Sequence, residues 1–199
     1  MSDFTSGLLV EREGPAWLQA RRDAALARWR ASDKPTRRTE AWKYTSLQAL
    51  ERDFSAATPA PMPVAELPQF GGGRLVFVDG FLQGAVDDIP LPAGVSLVRF
   101  VDADPAQAAR IADHIGTAVD SEKHLFANLN DATLADGLFL DVAADARLEQ
   151  PLHIVHVTTD REPAFSVSQR LLVVLGDNAE ASVIEHFSGT STAAFTSGV

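Results

Sequence analysis

Cysteine is absent from the 199 residues. Disulfides, thiolate metal sites and cysteine nucleophiles are excluded with it, and a chain without thiols agrees with a reducing, cytoplasmic setting. No apolar run approaches the ~18 residues of a membrane helix, so no span is expected. The start, Met1-Ser2-Asp3-Phe4-Thr5, lacks the basic residues and apolar stretch of a secretory signal. Positive charge is scarce as well. The 17 Lys+Arg are outnumbered by 27 Asp+Glu, a net charge of −10, which argues against general affinity for nucleic acid. Hydrophobic residues still make up 46% of the chain, enough to form a core.

The charge is uneven. Residues 1–43 hold nine Lys/Arg against six Asp/Glu, and the rest of the chain is strongly acidic. A basic arm of this kind is read either as a solvated helix face or as a contact for the acidic body or an acidic partner.

The last third holds four short apolar runs bounded by Asp, Gly, Asn or Pro: Leu138–Val142, Leu152–Val157, Arg170–Leu175 and Ala181–Phe187. Their β-branched and large aliphatic content reads as strands. Five consecutive apolar residues, Leu171 to Leu175, predict a strand covered on both faces. Strands joined by turns imply a stacked β architecture. No clean internal repeat is visible, although the strand spacing suits the coils of a solenoid.

Upstream, Gly14-Pro15 opens a helix from Ala16 to Ala31 rich in Ala, Leu, Arg and Gln. Leu18, Ala25, Leu26 and Trp29 form its narrow apolar stripe, with Arg21, Arg22, Arg28 and Arg30 expected mostly on the surface. Residues 37–47, RRTEAWKYTSL, carry Trp42 and Tyr44, whose rings are expected to pin the arm to the body. Four prolines and Gly71-Gly72-Gly73 read as a linker. Asp79-Gly80 between apolar runs signals a hairpin. Asp104-Pro105 caps a helix ending near Gly116, and a second helix is expected from about Asp120 to Leu129, with Asn130-Asp131 and Asp136-Gly137 as turns. The expected organisation is an N-terminal helical arm (1–54), a linker (55–73), a small α/β region (74–136) and a β stack (137–199). The fold class is mixed α and β, mainly β at its C-terminal side.

Candidate chemistry is thin. His153 and His156 lie three apart on one strand and therefore point to opposite faces, as do the adjacent Glu185 and His186. A metal site between strands would need a pair such as His156 and His186. Gly71-Gly72-Gly73-Arg74 lacks the Gly-Lys-Ser/Thr of a phosphate loop, and Ser188-Gly189-Thr190-Ser191 is no nucleophile elbow. Asp87-Asp88 and Asp102/Asp104 read as turn and cap acids. No residue is assigned a catalytic, cofactor or metal role. The readings left open are a structural scaffold, a metal-binding β protein or enzyme using inter-strand histidines, and a carbohydrate-acting β-helix.

Residues 37–47 resemble the N-terminal signature of SufD-type proteins of the SufB/SufD family, subunits of the Suf iron–sulfur cluster assembly scaffold. The stretch Phe126-Ala127-Asn128-Leu129-Asn130-Asp131-Ala132 with Asp136-Gly137 resembles that family's entry into a β-helix. Gln169–Ala179 with Val183–Phe187 resembles its first coils. The resemblance implies an N-terminal helical and α/β region leading into a right-handed parallel β-helix. It also implies pairing with a SufB-like subunit and a SufC-like ATPase. The chain itself would be non-catalytic, with the cluster handled by the parent complex. Flavin is assigned to neither. Against the family pattern the sequence stops at Val199, ahead of the ATPase-docking helices and the proposed cluster-building histidine, so that role falls on none of His153, His156 or His186. A solenoid ending there is expected to self-associate through its open end.

Overall fold

The computed structural model describes residues 5, 7–10, 12–36, 38–45, 47, 50, 52–59, 69–189 and 193–199. Most of the expected proline linker (60–68), Arg37 and Ser46 of the signature, and Thr190 and Ser191 lie outside the described residues.

Among the described residues three α-helices are formed: α1 (Ala16–Ala31), α2 (Pro105–His114) and α3 (Leu125–Thr133). The strands are β1 (Ser55–Ala56), β2 (Arg74–Val78), β3 (Phe81–Gln83), β4 (Val95–Arg99), β5 (Leu138–Val142), β6 (Leu152–Thr158), β7 (Phe165–Gln169), β8 (Leu171–Leu175), β9 (Val183–Gly189) and β10 (Ala194–Gly198). They make three sheets: β1-β7-β10 (sheet A), β3-β2-β6-β9 (sheet B) and β4-β5-β8 (sheet C). Among the described residues no sheet closes into a barrel.

The chain winds through these sheets in a fixed order. β5, β6 and β7 visit C, B and A, and β8, β9 and β10 repeat the circuit, each parallel to its predecessor. The register sets Leu138 beside Leu171, Leu152 beside Val183 and Phe165 beside Ala194. Even the corners repeat. Asp145 and Asn178, 33 residues apart and joined by a side-chain hydrogen bond of 3.2 Å, both take left-handed backbone, with φ of 61° and 56°. Asp and Asn are among the few side chains that tolerate that region. The repeat therefore lies in backbone conformation and register, with little sequence identity to announce it.

Successive strand residues face opposite sides, and the packing sorts accordingly. Leu138, Leu140 and Val142 of β5 point inward with Val95, Leu97, Leu152 and Ile154, forming the core between sheets B and C. Phe139 points out of sheet C, where Leu18 of α1, Ile111 of α2, Ile115, Phe100 and Leu134 bury it completely. β6, like β5, is buried on both faces. β8 was expected to be, yet Val173 and Leu175 are 38% and 49% exposed. Its outward Leu172 and Val174 pack on the helical layer. Val173 and Leu175 instead face the lumen at its open end, because β8 is the last strand of sheet C. Apolar content predicted two apolar faces; only neighbours decide whether both are covered.

The Asp79-Gly80 hairpin forms as expected, with Val78 opposite Phe81 and both turn residues at positive φ, 49° and 86°. Asp104 caps α2 by accepting from Gln107 N at 2.8 Å, with Pro105 in the first turn. Two expectations are corrected. Ser55-Ala56, placed in the linker, forms β1 on the edge of sheet A. The second helix begins at Leu125, because Asp120 folds a turn over itself through Glu122 N and Lys123 N. It then runs through Asn130 and Asp131, expected as a turn.

Gly176 begins the corner after β8 and lies directly over the preceding corner. An added Cβ would meet Ala144 N at 2.5 Å and Ala143 C at 2.9 Å, both backbone. Gly176→Val is expected to destabilise the chain by about 1–3 kcal/mol through forced separation of the corners, read from the urea midpoint.

Candidate functional site

The helical layer meets the coil at a buried polar cluster. The apolar pattern of α1 places Leu18, Ala25 and Trp29 inward, and Arg22 falls on the same stripe. Its guanidinium donates to Leu134 O at 2.7 Å and Ala135 O at 2.8 Å, carbonyls just beyond α3. Burial lowers its pKa, with neighbouring Arg12 adding to the effect. The sequence expected Arg22 on the surface; it is 4% exposed. Arg21, beside it, reaches Asp131 Oδ2 at 2.7 Å. Arg28 donates to Asn128 Oδ1 at 3.1 Å, and Asn128 Nδ2 in turn donates to Ala25 O at 3.0 Å.

Asp131 is fully buried and holds two arginines. Besides Arg21 it accepts from Arg170, the corner residue between β7 and β8, at 2.5 Å. Arg170 also donates to Asn130 Oδ1 at 2.8 Å, while Asn130 Nδ2 donates to Gln169 O and Ser197 O at 3.1 and 2.9 Å. Those carbonyls belong to β7 and β10, so one side chain ties both windings to α3. Desolvation lowers the Arg170 pKa, and the Asp131 carboxylate opposes it. The guanidinium remains charged at any physiological pH.

Trp42 of the signature packs on Phe126 of α3 with ring centroids 5.2 Å apart, and Phe126 also meets Phe195 of β10. That pins the arm as expected. Tyr44 does not take part. It is 91% exposed, with Lys43 over its ring.

Inside the coil a cavity of about 570 Å³ opens at the end formed by β8, β9 and β10. Phe77, His156 and Phe187 stack along one wall at 5.5 and 4.8 Å, and Glu185 Oε1 lies 3.2 Å from His156 Nε2. Gln169 Oε1, also lining the cavity, is buried without a hydrogen-bond partner. His156 and Glu185 face inward, whereas His153 and His186 face outward. The pair weighed from sequence, His156 and His186, is thus divided by the sheet. The register instead sets His156 diagonal to Glu185 on the inner face and His153 diagonal to His186 on the outer face. This could not be read from sequence, because a one-residue slip would reverse every pairing.

His153 is wholly buried, and its pKa is lowered by desolvation first, then by His186 and Arg74. Among the described residues no group of three or more His, Asp or Glu converges for a metal, and no helix is long and apolar enough to cross a membrane. The arrangement joins layers; it brings together no nucleophile, base and orienting group.

Removing the central carboxylate should expose this dependence. Asp131→Ala leaves Arg170 buried without its counter-charge, with an expected loss of about 3–5 kcal/mol measured by chemical denaturation. Glu122→Ala, which breaks an exposed pair with Arg28 at 3.4 Å, should change stability by less than about 1 kcal/mol.

Comparison with known proteins identifies the family of this chain. Residues 5–154 match the family described as the SufBD protein N-terminal region. The chain is 30% identical over 165 residues to "Iron-sulfur cluster assembly SufBD family protein slr0076" of Synechocystis sp. (strain ATCC 27184 / PCC 6803 / Kazusa), an alignment covering 79% of this chain and 36% of that protein. The chain therefore spans little more than a third of the curated relative it matches. The matched stretch contains the arm, the α/β region, Asn130 and Asp131 of the cluster, β5 and the first residues of β6, while Arg170 lies beyond it. This chain belongs to the SufBD family, through its N-terminal region.

Proposed function

We propose that this chain serves in iron–sulfur cluster assembly as a non-catalytic, SufD-type scaffold subunit, pairing with a SufB-like subunit and a SufC-like ATPase in the cytoplasm. The observation that carries the reading is the double passage through sheets C, B and A, with every second-winding strand parallel to the first. On this reading the windings are the first coils of a right-handed parallel β-helix, the handedness common to parallel crossover connections. Family membership supplies the process, and the Asp131 cluster supports a structural rather than a catalytic role. An enzyme built on His156 and His186 finds no support in the register, which puts their rings on opposite faces of sheet B.

The pairing is tested by affinity purification of the full-length protein from its own cells. SufB- and SufC-like subunits should co-purify in fixed proportion, and a full-length protein recovered without either would overturn the assignment.

The winding leaves β8, β9 and β10 as the last strands of their sheets, with Val173, Leu175 and Phe187 exposed beside them. Such edges pair readily. A polypeptide of these 199 residues alone should self-associate end to end with a second copy. Light scattering should show mass rising with concentration; a monomer at every concentration would refute it.

A further inference from the structure

The outer face of sheet B holds two imidazoles that the assembly role does not use. His153 lies on β6 and His186 on β9, the adjacent parallel strand. Their ring planes are within 7° and their centroids 5.7 Å apart. Phe70 lies edge-on to both, at 5.0 and 6.2 Å. His153 is 0% exposed, yet neither of its ring nitrogens has a hydrogen-bond partner, and His186 Nδ1 is likewise buried and unpartnered. Buried polar atoms are nearly always satisfied, so three unsatisfied nitrogens on two neighbouring rings call for a missing partner.

We propose that His153 and His186 together form a binding site for a borderline divalent transition-metal cation such as Zn²⁺, on the outer face of sheet B beneath Phe70. The spacing suits one ion. A metal about 2.1 Å from one nitrogen of each ring bridges centroids up to roughly 6.5 Å apart, and the observed separation falls inside that limit. Aligning both lone pairs needs rotation about the Cβ–Cγ bonds, a broad torsion in histidine. Imidazole donors select Zn, Cu, Ni or Fe over Ca and Mg, which require oxygen. Two protein ligands leave the remaining positions of the ion to water. Arg74, in register with His153 on β2, brings positive charge alongside and keeps the affinity moderate. The site stands apart from the scaffold role and does not depend on it.

The test uses the untagged chain, titrated with Zn²⁺ by calorimetry and with Cu²⁺ by electron paramagnetic resonance, in which nitrogen splitting counts bound imidazoles. One equivalent of each is expected, with two nitrogens on Cu²⁺. His186→Ala should weaken Zn²⁺ binding at least tenfold and leave one nitrogen, with circular dichroism confirming the fold. If that variant unfolds, His186→Phe preserves the stack and should lose the metal likewise. The double change His114→Ala and His124→Ala, on α2 and just before α3, should bind as the parent does. Absence of stoichiometric binding, survival of binding in both His186 variants, or its loss in the His114/His124 double variant would overturn the assignment.

Discussion

The buried carboxylate of Asp131 is the point on which three layers converge. It is fully enclosed, and its two oxygens are taken by Arg21 from α1 and Arg170 from the corner between β7 and β8. A lone charge at such depth is prohibitively costly, so the three groups are mutually required. Asn130, its neighbour, completes the arrangement by reaching the carbonyls of Gln169 and Ser197. The helical arm, α3 and both windings are therefore positioned by one short segment of α3.

The apolar cores follow from that placement. Once α1 is fixed by Arg21 and Arg22, Leu18 and Trp29 are carried to different neighbours. Leu18 joins Phe139, Phe100 and Ile111 outside sheet C. Trp29 joins Leu129, Leu8 and Phe54. The coil has its own core inside, built from alternate residues of β4, β5 and β6. A two-sided sheet C thus serves as a common wall, apolar on both faces for two distinct reasons. Packing of this kind is non-directional and supplies most of the stabilisation; the polar cluster selects which of many packings is adopted.

The windings also explain the contrast between well-buried and exposed apolar side chains. β6 has a neighbour on each edge, β2 and β9, and is covered on both faces. β8 and β9 have a neighbour on one edge, and their inward residues face an open lumen. Exposure of Phe187 and Leu175 is a property of position in the stack and has no counterpart in their own sequence. The same holds for the histidines. Four side chains of sheet B, His153, His156, Glu185 and His186, are separated into an inward and an outward pair by the register of a single strand contact.

Much was legible locally. Strand existence, the Asp79-Gly80 turn and the Asp104-Pro105 cap rest on backbone preferences and hydrogen bonds spanning a few residues, and the chain itself encodes these. So does the alternation that sends His153 and His156 to opposite faces. The ion pair of Arg21, the burial of Arg22, the helical state of Asn130-Asp131, the exposure of Tyr44 and the partner of each histidine were decided only by tertiary structure. Apart from the exposure of Tyr44, each involves a group tens of residues away, and weak local propensities yield when such a partner satisfies a buried charge or fixes a register.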